Sequence, residues 1–567
     1  MKRKRLLSLF LGLMLAVALL GGCKEKTDRL PSEETGKKDN AETEQKTDTS
    51  KDEETEAQTG NQTQETEWSW PLAEKKELSY WIGWNNSYVE NPGDLTAIKA
   101  LEEQTNVHIN WIAVSDQEAS EKFGLMLASG DWPDMVQGAA NRYTGGLVQA
   151  VEDGLFYDLT EYVEEYMPVY HDLRQYNDRV LCDTVTDDGR ILACYTLKST
   201  LEELTGESVW AGLVIRQDWL DECGLEVPET VEEWENVLVA FKERYHIYPL
   251  MLGDPSGIDR YGAFLTAYGV LNEFYQEDGV VKYGPMEEGY KDYLMQTNRW
   301  YEMGLIDPNF SSVAFEWISP ELISGTYGAG TILHLMVADA PVSAGYDVPE
   351  NYYLTPVTNP VLKKGDPVHG VLTGRESIVF GKETSVTTKC QDLELACRWL
   401  DYMYTEEAMR LTSMGIEGET YLDNGDGTYS VGPVIQEQLE KKEYPSLQDA
   451  LSTHVLFTHG FNRFNFNALQ YLDPSASANS NLAYQAWDQN LADLSISSYV
   501  TMTSDETVAS ASVYTDIQTL VQEGTVQFIT GARSFDEYDQ FVDQMKKYGI
   551  EDCIRYRQAA LDRYFAR

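Results

Sequence analysis

The chain has 567 residues, with 93 acidic against 44 basic side chains and a net charge of −49. A surface this acidic repels nucleic acid and anionic lipid, which makes both poor partners for the folded part. The 13 Trp and 35 Tyr supply many flat apolar faces, of the kind sugar rings stack on, although most are expected in the core.

Lys2-Arg3-Lys4-Arg5 is a basic run, and Leu6 to Leu20 is an apolar stretch too short for a comfortable membrane span. It ends in Leu20-Gly21-Gly22-Cys23, which resembles a lipobox. Residues 1–22 therefore read as a signal peptide, and Cys23 as the lipidated first residue of the mature chain, anchored to the outer face of the membrane. Residues 24–67 contain almost no apolar side chain except Leu30. Such a segment cannot offset its ordering entropy by burial, so it reads as a disordered tether, long enough to suit a Gram-positive surface. Residues 68–567 remain as the folded part and are long enough for two lobes.

Leu78–Ile82 reads as a strand, followed by a helix over 94–104 with Leu95, Ile98 and Leu101 on one face. Val107–Val114 is rich in β-branched and aromatic residues and reads as a second strand. A helix over 118–128 and a third strand at Met135-Val136 complete a β-α-β-α-β order, which predicts a largely parallel sheet covered by helices. Capping boxes are expected at Asp158/Glu161, Thr230/Glu233 and Ser534/Glu537, with Gly549 as a helix stop. Gly212–Ile215 reads as a strand that marks a crossing between lobes. No later apolar run approaches membrane-spanning length.

The cysteines after Cys23 are Cys182, Cys194, Cys223, Cys390, Cys397 and Cys553. None forms a CxxC, and none sits near histidines at metal spacing, so neither a metal nor a cofactor is expected. A Cys182–Cys194 bridge and buried free thiols both remain open. Asp423-Asn424-Gly425-Asp426-Gly427 has some character of a calcium loop, but it lacks the ligand alternation and closing glutamate and reads as a hairpin turn.

Several segments in order then resemble one family. They are Ala100–Val107 (ALEEQTNV), Leu127–Asp134 (LASGDWPD), Gly154–Thr160 (GLFYDLT) and Ile215–Leu225 (IRQDWLDECGL), which runs on to Pro228–Trp234 (PETVEEW). Gly415–Tyr421 (GIEGETY), Phe528–Gly531 (FITG) and Gln558–Tyr564 (QAALDRY) follow. Together they are similar to the extracellular solute-binding lipoproteins of ABC importers, in the carbohydrate-type LplA- and LipO-like group. The resemblance implies an α/β, bilobed, periplasmic-binding-protein-like fold of type II. Its two lobes are joined by a hinge around a central ligand cleft. It also implies capture of a small ligand and its delivery, unaltered, to a membrane permease. A mono- or oligosaccharide is the leading ligand class, peptide or another small solute stays open, and a monomer is expected. The stretch from about 254 to 353 matches poorly, and ligand specificity is expected there.

A polyol needs aromatic faces and hydrogen-bonding side chains, gathered in loops after strand ends. Trp84 and Asn85 follow the first strand and are the leading pair. Trp132, beside the third strand, and Trp210, before the Gly212 strand, are cleft-facing or core. Asp254, Arg260 and Tyr261 lie in a polar loop that either contacts hydroxyls or merely connects. Trp317 is a stacking platform or core. Arg375 and Glu417 are weaker candidates. Two rival readings stay open: a secreted glycoside hydrolase, for which no Ser elbow or HExxH is present, and a glycan-binding adhesin.

Overall fold

The computed structural model describes residues 68–201, 203–204, 209–252, 262–312, 320–343, 346–371, 377–456, 462–465 and 468–567. The expected signal peptide, Cys23 and tether lie outside them. Residues 68–567 form one compact unit.

Thirteen strands are present among the described residues. They are β1 (Lys76–Gly83), β2 (Val107–Val114), β3 (Met135–Gln137), β4 (Cys194–Ser199), β5 (Ala211–Arg216), β6 (Phe274–Glu277), β7 (Val280–Tyr283), β8 (Ala329–Leu333), β9 (Leu354–Pro356), β10 (Val379–Val386), β11 (Tyr421–Asp423), β12 (Tyr429–Val431) and β13 (Arg463–Asn465). Six make the sheet of the first lobe, in the order β13-β4-β10-β3-β1-β2. β1 runs parallel to β2 and β3, as the β-α-β-α-β pattern requires. β10 enters between β3 and β4 antiparallel to both, and β13 runs parallel to β4.

Period-2 alternation buries this sheet on both faces. Along β1, Leu78, Tyr80 and Ile82 face one apolar core, shared with Ile98, Leu101, Trp399 and Leu400. Trp81 faces the other, with Phe123, Val136 and Leu155. The second lobe is built on β8-β5-β9, with β5 antiparallel to both neighbours. The same alternation sends Leu213 and Ile215 to a core with Trp234, Phe241 and Trp300, and Val214 to a core with Ile332, Tyr352 and Trp487.

The helices expected over 94–104 and 118–128 form as Thr96–Thr105 and Ala119–Ser129. Thr230 and Glu233 make a reciprocal capping box at the start of the helix Val231–Tyr245. Two expected boxes do not form. Asp158 accepts from Thr160 N at 3.0 Å and Thr160 Oγ1 at 2.5 Å, a local turn that competes with capping, and the helix Thr160–Tyr166 has no side-chain cap bond. Ser534 accepts from Asp536 N over a 3-10 turn, while Glu537 pairs with Arg533 at 3.6 Å. Gly549 stops the helix Tyr538–Tyr548 in the left-handed region. Cys182 and Cys194 are free thiols. The Asp423–Gly427 segment turns the β11–β12 hairpin. Among the described residues no helix is long and apolar enough to cross a membrane.

Candidate functional site

Strands β1 to β4 and β13 point the same way, so their C-terminal ends share one edge of the first-lobe sheet. The chain leaves the first lobe after β4, returns at the start of β10, and leaves again after the helix Ala468–Leu472. These crossings lie at that same edge. The second lobe is therefore tethered over the carboxyl ends of the strands, where α/β sheets place their ligands.

The edge is polar and carries charge of both signs. After β1, exposed Asn85 donates through Nδ2 to Asp116 Oδ2, and its Oδ1 accepts from Asp116 N at 3.1 Å. Asp116 itself follows β2. After β3, Arg142 lies over the Trp81 ring, 5.4 Å from its centroid, and donates to Gly138 O. A bulge in β10 between Phe380 and Thr384 puts Lys382 at φ 69°. Burial, reinforced by Arg142 and opposed by Asp116, lowers the Lys382 ammonium from its ordinary value. Burial raises the Glu383 carboxyl, whose Oε1 accepts from Ala140 N at 2.6 Å. At the end of β4, Lys198 Nζ lies 4.6 Å from the Phe380 ring centroid, and burial drops its pKa to about 6.

The second lobe contributes Trp210, His334 and Tyr484 near its hinge end. Trp210 O accepts from His334 N at 2.9 Å. The His334 ring stacks on Tyr484 at 5.3 Å, and its Nδ1 lies 2.7 Å from Ser480 Oγ. Burial holds this imidazole at a pKa of about 4, hence neutral. Gln470, on the last first-lobe helix before the crossing, donates to Tyr484 Oη at 3.2 Å.

Of the sequence candidates, Asn85 stands at this edge and Trp210 at the second-lobe side. Trp84 turns inward: it is 5% exposed, packs in the first-lobe core, and donates from Nε1 to Val89 O at 2.7 Å. Trp132 precedes β3, so it stands at the opposite edge of the sheet, beneath Lys389 at 5.7 Å. Glu417 is exposed in the turn before β11. Asp254, Arg260, Tyr261, Trp317 and Arg375 lie outside the described residues. Asp116 and Arg142 were legible by the strand-end rule that selected Asn85. Lys382 was not, because its position depends on a bulge within a strand paired across the sheet. A separate groove of about 470 Å³, lined by Asn91, Lys99, Glu102, His108 and Trp111, lies beside β2.

Residues 90–410 match the family described as bacterial extracellular solute-binding protein. Lipoprotein LipO of Bacillus subtilis is 25% identical over 368 residues, 60% of this chain and 67% of the relative. The fructooligosaccharide ABC transporter substrate-binding protein FusA of Streptococcus pneumoniae is 22% identical over 539 residues, 88% of this chain and 92% of the relative. Among solved structures, an HMO-binding, ABC-transporter-associated solute-binding protein from Bifidobacterium longum infantis superposes with a TM-score of 0.68 at 18% identity. It covers 86% of this chain and 99% of the other.

Proposed function

Because the chain belongs to the bacterial extracellular solute-binding proteins, we propose that it captures an oligosaccharide between its lobes and passes it, unaltered, to an ABC permease. The observation that carries this is the position of the lobe crossings. All lie at the strand-end edge that holds Asn85, Asp116, Arg142 and Lys382, so rotation about them opens and shuts the second lobe over those groups. A ligand that touches both lobes only when they are closed shifts the population to the closed form. Asn85, Asp116, Arg142 and Lys382 offer donors and acceptors for hydroxyls, and Phe380 and Trp210 offer ring faces. The similarity to FusA, a fructooligosaccharide ABC transporter substrate-binding protein, supports a carbohydrate ligand. In this reading Cys23 carries the lipid anchor, residues 24–67 are the tether, the working protein is a monomer, and it performs no chemistry.

The test is a thermal-shift screen of the mature chain across neutral and acidic oligosaccharides and peptides, followed by product analysis. A ligand at a hundred times its dissociation constant adds about 2.7 kcal/mol of stability. A stabilising oligosaccharide recovered intact supports the proposal. Hydrolysis products would overturn it in favour of a glycosidase, and stabilisation by peptides alone would overturn the carbohydrate assignment.

A further inference from the structure

The last residues of the chain are fastened to the opposite lobe. The final helix, Ile550–Phe565, packs in the second-lobe core through Ile550, Cys553 and Leu561. Its end reaches a loop of the first lobe just before β4. Arg563 Nε donates to Asp187 Oδ2 at 2.8 Å, and Arg567 Nη2 donates to Asp187 Oδ1 at 2.7 Å. Arg567 Nη1 also donates to Cys182 O at 2.8 Å, and the Arg567 side chain is only 2% exposed although it ends the chain. Beside them, Tyr564 Oη donates to Asp183 Oδ1 at 2.7 Å.

Asp183 collects more than this one bond. Ser497 Oγ donates to it at 3.1 Å and Ser377 Oγ at 3.4 Å. Ser377 lies in the segment that returns to the first lobe at β10. Ser497 lies two residues before Tyr499, whose hydroxyl donates to Val379 O at 3.0 Å. A single buried carboxylate thus joins the first lobe, the segment returning to β10, the 495–503 stretch and the final helix. Arg563 extends the node into the second lobe through Glu506, at 2.7 Å. Charge-assisted and bidentate bonds of this kind fix geometry as well as adding energy, the more so where they are sheltered from water.

We propose that Arg563, Tyr564 and Arg567 are positioning residues that form a pivot at the back of the hinge. They confine lobe motion to rotation about Asp183 and Asp187 and set how far the free protein opens. This rests on the reading of the cleft as a closing ligand site. Neither arginine nor the tyrosine touches the cleft edge, so they act on ligand capture only through the lobes they hold.

The test uses ligand-free mature protein, so that it stands whether or not a sugar is found to bind. Arg567→Ala and Asp187→Asn are compared with the parent by amide hydrogen exchange. Inter-lobe distances are measured between bio-orthogonal spin labels at exposed Ile112 and Val280. Both variants are expected to raise exchange at least tenfold at Lys198, Val379 and the 495–503 segment. The amides of Tyr80 and Val214 in the two sheets should be unchanged, and the inter-lobe distance distribution should broaden. The double variant should fall short of the sum of the two single ones, because they share the Arg567–Asp187 contact. A uniform rise at all of these amides would mean a merely structural role and overturn the proposal. So would parental hinge exchange together with a parental distance distribution.

Discussion

Trp487 lies so close over Gly212 that a Cβ placed on the glycine would sit 2.5 Å from the indole ring. The indole also donates from Nε1 to Leu213 O at 3.0 Å, so the ring is held flat against strand β5. Gly212→Ala must therefore push the ring or the strand aside and cost about 1–3 kcal/mol, the usual penalty for overpacking. Urea unfolding checks this. A loss below about 0.5 kcal/mol would show that Trp487 repacks freely.

Asp401 predicts a pH dependence. Its carboxylate accepts from Tyr170 N at 2.8 Å, but burial outweighs that bond and raises its pKa to about 6. Between the ordinary carboxylate value and about 6 the folded protein keeps a proton that the unfolded chain has lost. This contribution to stability is fully present below the unfolded value and is lost as pH rises through about 6. A shift of about two units corresponds to roughly 2–3 kcal/mol. Comparing unfolding free energies at pH 4.5 and 7 for the parent and Asp401→Asn isolates the term, since the amide does not titrate. Equal pH slopes in the two proteins would refute the assignment.

The Thr230 cap is a local and separable contribution. Thr230 Oγ1 accepts from Glu233 N at 3.2 Å, and Glu233 Oε2 accepts from Thr230 N at 3.1 Å. Thr230→Ala should cost about 1 kcal/mol, measured by denaturant unfolding. Ser534→Ala, where no reciprocal box exists, should cost less.

At the cleft edge, Asp116→Ala removes the partner of Asn85 and an exposed acceptor. Stability should change by less than about 0.5 kcal/mol, because both groups are solvent-exposed. Affinity for the oligosaccharide identified by screening should fall by roughly tenfold, about the value of one hydrogen bond to a charged group. Calorimetric titration measures it. Unchanged affinity would remove this edge from the ligand contacts.

Part of the fold is legible in the sequence. Val107–Val114 is a strand to the residue, and Thr230/Glu233 caps a helix where expected, because alternation and capping are written in neighbouring side chains. Asp158 failed as a cap because Thr160, two residues on, offers it a shorter-range partner. The aromatic candidates were less legible. Trp84 was expected in the cleft by its place after β1, yet its ring turns to Val89 and the core.

By itself, then, the amino-acid order determined the parallel beginning β1-β2-β3, strand β5 and the helices that follow clear apolar periodicity or a capping box, since each is written within a few dozen residues. Only the tertiary structure decided that β10 enters antiparallel between β3 and β4, and that Lys382 thereby reaches the cleft edge. It alone brought Arg567, the final residue, to Asp187. Those pairings join residues hundreds of positions apart. They follow from how whole layers pack and which buried charges must find partners, and no local window of sequence carries that information.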